Sequence, residues 1–139
     1  MQLTKNFNLE ELTASATAKI RKISNIPNDL QISRLKKLCE SILQPLRDKL
    51  GLPIKVTSGF RNPSLNKAVR GSAYSQHLKG EAADIVCSNN KVLWDLICSM
   101  ILTEEITVGQ AIDEHNLKWI HIFLPDIKHH NQILHIKGT

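Results

Sequence analysis

ITVGQAIDEHNLKWIHIFL, residues 106–124, reads as two strands, ITVGQAIDE (106–114) and WIHIFL (119–124), joined by the four-residue turn HNLK. Both arms are rich in branched and aromatic residues, the composition of a β-hairpin, although the turn lacks an Asn-Gly pair. A four-residue turn sets the register: Glu114 faces Trp119 and Ile112 faces His121. Side chains alternate across a strand, so Ile112, Glu114, Trp119 and His121 share one face, and Asp113 points to the other.

Working outward, PIKVTSGF (53–60) and AADIVC (82–87) read as two further strands. Leu35, Leu38, Ile42, Leu46 and Leu50 recur at helical spacing in residues 29–50, which predicts the main core helix, kinked or interrupted by Pro45 and stopped by Gly51 and Pro53. NLEELTAS predicts one small helix, and VLWDLICSMIL (92–102) a second amphipathic one after a Ser88/Asn89/Asn90 cap region. RNPSLNKAVRGSAYS carries the proline, glycine and serine signals of a long loop. Strands and helices in this order predict an α+β fold, an antiparallel sheet with helices packed on one face. At 139 residues, without repeats or low-complexity tracts, a single domain over residues 1–139 is expected.

Apolar residues make up 42% and charged residues 22% of the chain, which excludes a disordered or fibrous protein. The net charge of +5 comes from scattered cations with few interleaved aromatics, so no nucleic-acid partner is expected, whereas a polyanionic wall remains a suitable one. No apolar run approaches the roughly 20 residues of a membrane span, and MQLTKNFNLEELTAS lacks the apolar stretch of a secretory signal. The expectation is a monomer without a membrane partner, made in the cytoplasm. Cys39, Cys87 and Cys98 are odd in number and form no CxxC, so they read as small core residues.

SQHLKGEAADI (75–85) sets a histidine and an aspartate seven positions apart where a polar loop enters a strand. They are either two ligands of a metal or a loop histidine followed by an ordinary strand aspartate. Asp84 shares its strand face with Ala82 and Val86, and a carboxylate among apolar neighbours is costly unless paired or metal-bound. Catalytic zinc takes three protein ligands and leaves a fourth position for water. His115, His121, His129, His130 and His135 are the candidates for a third. His121 shares its face with Glu114 at a diagonal Cβ separation of about 7 Å or somewhat less, room for a metal-bound water. Asp113 is the poorer candidate, and His129 and His130 read as solvated.

SGFRNPSLNKAVRGSAYSQHLKGEAADI resembles the central signature of the zinc D-alanyl-D-alanine carboxypeptidase family of peptidoglycan peptidases. Its relatives include phage endolysin peptidases and, in fold, the Hedgehog signalling domain. KNFNLEELTAS, ILQPLRDKLGLPIKVTSGFR, QHLKGEAADI, WIHI and NQIL resemble family segments in order, over nearly the whole chain. The resemblance implies that His77, Asp84 and His121 bind Zn2+ and that Glu114 is the general base. It also implies that Arg61 steadies substrate near the scissile bond and that Ser75 contacts substrate, although Ser75 is equally suited to capping the turn before His77. Two positions depart from the pattern. Lys118 stands where several relatives carry an acid, which leaves Glu114 on the adjacent strand as the base. Phe123 stands where relatives usually have serine, which alters the expected pocket wall.

The resemblance thus implies a metallopeptidase acting on peptidoglycan stem peptides, of D,D-carboxypeptidase or endopeptidase type, with an L-alanyl-D-glutamate cut close behind. With no signal segment, it would reach the wall after release or in a phage particle. The rivals are a non-catalytic wall-binding or phage structural module that keeps the fold, and a basic nucleic-acid-binding domain.

Overall fold

A computed structural model describes residues 1–137. The chain opens with a small antiparallel pair, β1 (Gln2–Thr4) and β2 (Phe7–Asn8), followed by the short helices α1 (Leu9–Thr13) and α2 (Ala16–Arg21). NLEELTAS therefore holds one helix, as expected, and Ser15 caps the next, its side chain accepting from the Ala18 N–H.

Residues 29–50 run helical throughout: α3 (Asp29–Leu38), a π-helical turn (Cys39–Leu43) and α4 (Gln44–Leu50). A capping box on Asn28 and Gln31 starts the run, and left-handed Gly51 ends it. The π turn, in which the Gln44 N–H reaches back to the Cys39 carbonyl, lies just before Pro45. Proline has no N–H to give the preceding turn, and the wider turn accommodates this without ending the helix. Leu35, Leu38, Ile42 and Leu46 are fully buried, as their spacing predicted, with Cys39 and Leu43 beside them, while Leu50 is only partly buried.

The main sheet has the order β3-β4-β6-β5-β7, from β3 (Lys55–Ser58), β4 (Ala82–Val86), β5 (Gln110–Glu114), β6 (Trp119–Phe123) and β7 (Gln132–Ile136). The α+β class forms as expected, with one qualification. β7 runs parallel to β5, so the sheet is mixed rather than wholly antiparallel. The chain reaches β7 through Asn131, which donates its N–H to the Val108 carbonyl and accepts the Val108 N–H on its side chain. Helix α6 (Asn90–Leu102) is capped by Asn89 and buries Leu93, Trp94, Ile97, Met100 and Ile101.

The segment read as a long loop contains α5 (Pro63–Ala68) and a 3-10 turn (Gln76–Lys79). Pro63 starts α5 rather than breaking it, because Asn62 accepts the Leu65 N–H as cap and a first-turn proline has no hydrogen bond to lose.

The two faces of the sheet divide the labour. Ala83, Ile85, Ile120, Ile122 and Ala111 join the helices in one apolar core, while Asp84, His121 and Glu114 alternate onto the opposite face.

Candidate metal centre

The hairpin register is the one the turn length predicted, Ile112 opposite His121 and Glu114 opposite Trp119. Its corner is made without glycine, with His115, Asn116 and Leu117 all at positive φ of 50°, 57° and 61°. Asp113 holds this corner by accepting the Leu117 N–H at 2.6 Å, and its other oxygen lies 3.0 Å from His135 Nδ1. Asp113 and His135 are thereby engaged with each other. On the other side of β6, Asp84 lies directly opposite His121, with His121 Nδ1 2.8 Å from Asp84 Oδ1.

His77 comes from the 3-10 turn. Ser75 Oγ accepts the His77 N–H at 3.2 Å, and left-handed Gly80 (φ 74°) closes the turn. The His77 ring is 1% exposed. Its Nδ1 lies 2.6 Å from the Gly59 carbonyl, which can only accept, so Nδ1 carries the proton and Nε2 presents a lone pair. That lone pair is buried without a hydrogen-bond partner, 3.4 Å from Asp84 Oδ1, itself an acceptor. Two buried acceptors facing one another call for a cation between them. His77, Asp84 and His121 each bring one donor atom to within 4.8 Å of the others, the only such group of three or more among the described residues. Two imidazoles and a carboxylate are a donor set suited to zinc.

Burial by itself pushes the Asp84 carboxyl up, but the His121 and His77 imidazoles outweigh it and hold Asp84 well below the usual carboxylate range. Burial pushes the His77 imidazole down, against the opposing pull of Asp84. Burial raises Glu114, with His121 pulling the other way.

All six expected site residues, Arg61, Ser75, His77, Asp84, Glu114 and His121, line one open cavity of about 620 Å³. Arg61 is half-buried; its Nε is buried without a partner, and its backbone N–H donates to the His77 carbonyl. Its guanidinium lies beside Gly71 and the buried Asn66 amide, which in turn donates to the Ser72 carbonyl. Ser75 both caps the His77 turn and lines the cavity.

Sequence reasoning overlooked Asn66 and Gly71, whose spacing carries no chemical signature; Asn66 is polar yet 5% exposed. Lys118 is exposed and does not line the cavity. Phe123 does not alter the wall: it is 1% exposed and packed against Gly109, where any β-carbon would lie 2.5 Å from its ring. His129 is half-buried, sits edge-on to Phe123 and bonds Asp126, whereas His130 is exposed. Cys39 is a buried core residue, and Cys87 and Cys98 are partly buried against the core. No helix among the described residues is long and apolar enough to cross a membrane.

The metal-free protein is expected to lose stability on acidification. His77 is neutral in the fold but takes a proton in the unfolded chain below about pH 6.5, so the unfolded state binds more protons and stability falls as pH drops through that value. Asp84, held low, adds a second loss as pH falls below its unfolded value of 3.8 toward its depressed folded one. Zinc at about 1,000 times its Kd would add roughly 4 kcal/mol to the metal-free stability near neutral pH. Thermal melts across pH, with zinc and with chelator, check both; coincident melts would refute a built metal centre.

No curated protein matches the chain. The Peptidase M15 family model matches residues 5–123, a span that contains every residue of the cluster. The chain therefore belongs to the Peptidase M15 family, the zinc D-alanyl-D-alanine carboxypeptidase-like peptidases.

Proposed function

We propose that the protein is a zinc-dependent peptidase that cleaves the peptide stems of bacterial peptidoglycan, in the manner of a D,D-carboxypeptidase or endopeptidase. The observation that carries this reading is the buried, unpartnered His77 Nε2 beside Asp84 and His121, in the cavity that Glu114 also lines. In this reading His77, Asp84 and His121 hold the zinc. Bound there, zinc would supply Lewis-acid chemistry, lowering the pKa of a water to about 7 and polarising a carbonyl.

Glu114 accepts the proton of the attacking water and returns it to the leaving amine. Burial suits it to this exchange, because a carboxyl whose pKa is raised from its ordinary value is the stronger base. Arg61, a forked donor with an unpaired buried Nε, is suited to a substrate carboxylate or to the oxyanion that develops on the carbonyl. Gly59 fixes the tautomer of His77 and so the direction of its free lone pair.

Incubation with stem peptides, with and without chelator and with products identified by mass, tests the reading. Release of D-alanine or of a stem fragment, abolished by chelator and restored by zinc, is expected. Zinc binding without cleavage of any stem peptide would sink the enzymatic reading in favour of a non-catalytic wall-binding module.

A further inference from the structure

A second cavity, of about 540 Å³, is lined by Arg21, Ile23, Ser64, Lys67, Ala68 and Arg70. Among the described residues, half of this lining is cationic and none of it acidic. None of the three cations forms an ion pair among the described residues. Arg21 and Lys67 lie in the last turns of α2 and α5, where a cation also complements the helix dipole. Arg70 has no such reason to be there. It follows α5 in a left-handed conformation, φ 58°, and also lines the metal-centre cavity. The basic cavity and the cleft are therefore adjoining parts of one surface.

The arrangement is built in advance of any ligand. Asn25 donates to the Thr13 and Phe60 carbonyls and accepts the Asn62 N–H, while Asn62 Nδ2 donates to the Ser24 carbonyl. These bonds tie the segment after α2 to the start of α5, so that Arg21 and Lys67 line the same cavity. Cations that line one cavity without an acid among them repel, and an anion bound there lessens the repulsion.

We propose that this basic cavity is an anion subsite of the cleft, which receives a free carboxylate carried by an extended peptide substrate away from the bond being cut. The proposal rests on the peptidase reading of the cleft. Peptidoglycan stems suit it, because a γ-linked glutamate leaves its α-carboxylate free.

The probes are L-alanyl-γ-D-glutamyl-L-lysyl-D-alanyl-D-alanine and its analogue amidated at the glutamate α-carboxylate. Their binding to the zinc-loaded Glu114→Gln protein is measured by calorimetry at low and physiological salt. The acid peptide is expected to bind about tenfold more tightly than the amide, and this preference shrinks as salt rises. Arg21→Gln combined with Lys67→Gln, both exposed and outside the cleft, should abolish the preference and leave the affinity for the amide unchanged. Equal affinities, binding of neither peptide, or a preference that survives the double substitution overturns the subsite. Cleavage of either peptide by the unsubstituted protein reports separately on the peptidase reading. Loss of affinity for a phosphate-rich wall polymer in the double variant, without discrimination between the peptides, would assign the cations to another macromolecule and also overturn it.

Discussion

Glu114→Gln is expected to lower kcat on a stem peptide by about 10²- to 10⁴-fold, with zinc content and thermal stability close to those of the parent. Glutamine keeps the shape and partial burial of the side chain but cannot take a proton. KM should change little, because the lost interaction belongs to the transition state rather than to substrate binding. The size of the effect follows from the lining of the cavity, whose only carboxylates among the described residues are Asp84 and Glu114. Asp84 is turned toward His77 and His121, so no second free carboxylate stands ready among the described residues, and His115, which also lines the cavity, is stacked on Trp119. Lys118 does not reach the cavity and offers no rescue. Steady-state kinetics beside zinc analysis checks the prediction, and activity within a few-fold of the parent would remove Glu114 from the role of base.

Gly59→Ala is expected to cost about 3 kcal/mol, roughly 10 °C in melting temperature for a chain of this size. A β-carbon at Gly59 would stand 2.9 Å from the Leu12 carbonyl carbon and 3.1 Å from its Cα, with the carbonyl oxygen closer still. That backbone is poorly placed to yield. Leu12 is fully buried, and its carbonyl accepts the Phe60 N–H at 2.7 Å. Any shift also moves the Gly59 carbonyl that holds His77 Nδ1, so zinc affinity should fall by about 10- to 100-fold. Calorimetry with a zinc competition assay measures both. A variant with lowered stability and full zinc affinity would separate the packing role of Gly59 from its role toward His77.

Local signals gave a legible account of much of the chain. The leucine spacing of residues 29–50 placed the core helix, and alternation in the hairpin placed Glu114 and His121 on one face. Asp84 was marked by its cost, a carboxylate amid apolar strand neighbours. Reading Pro63 as a loop signal missed α5, because proline breaks a helix interior but begins a helix well, and only Asn62 before it distinguishes the two. β7 has little alternation to read, since an edge strand with one partner buries little of either face.

The sequence by itself determined the strand faces on which Asp84, Glu114 and His121 lie, because side-chain alternation and turn length are local properties of the backbone. Tertiary structure alone decided that the Gly59 carbonyl orients His77, that Asp84 pairs directly opposite His121, and that Asn66 and Gly71 pack beside Arg61. It also decided that Arg21, Lys67 and Arg70 share one cavity. These relations join residues distant in the chain through backbone carbonyls, sheet register and close approach of small residues, and none of them leaves a periodic trace in the order of amino acids.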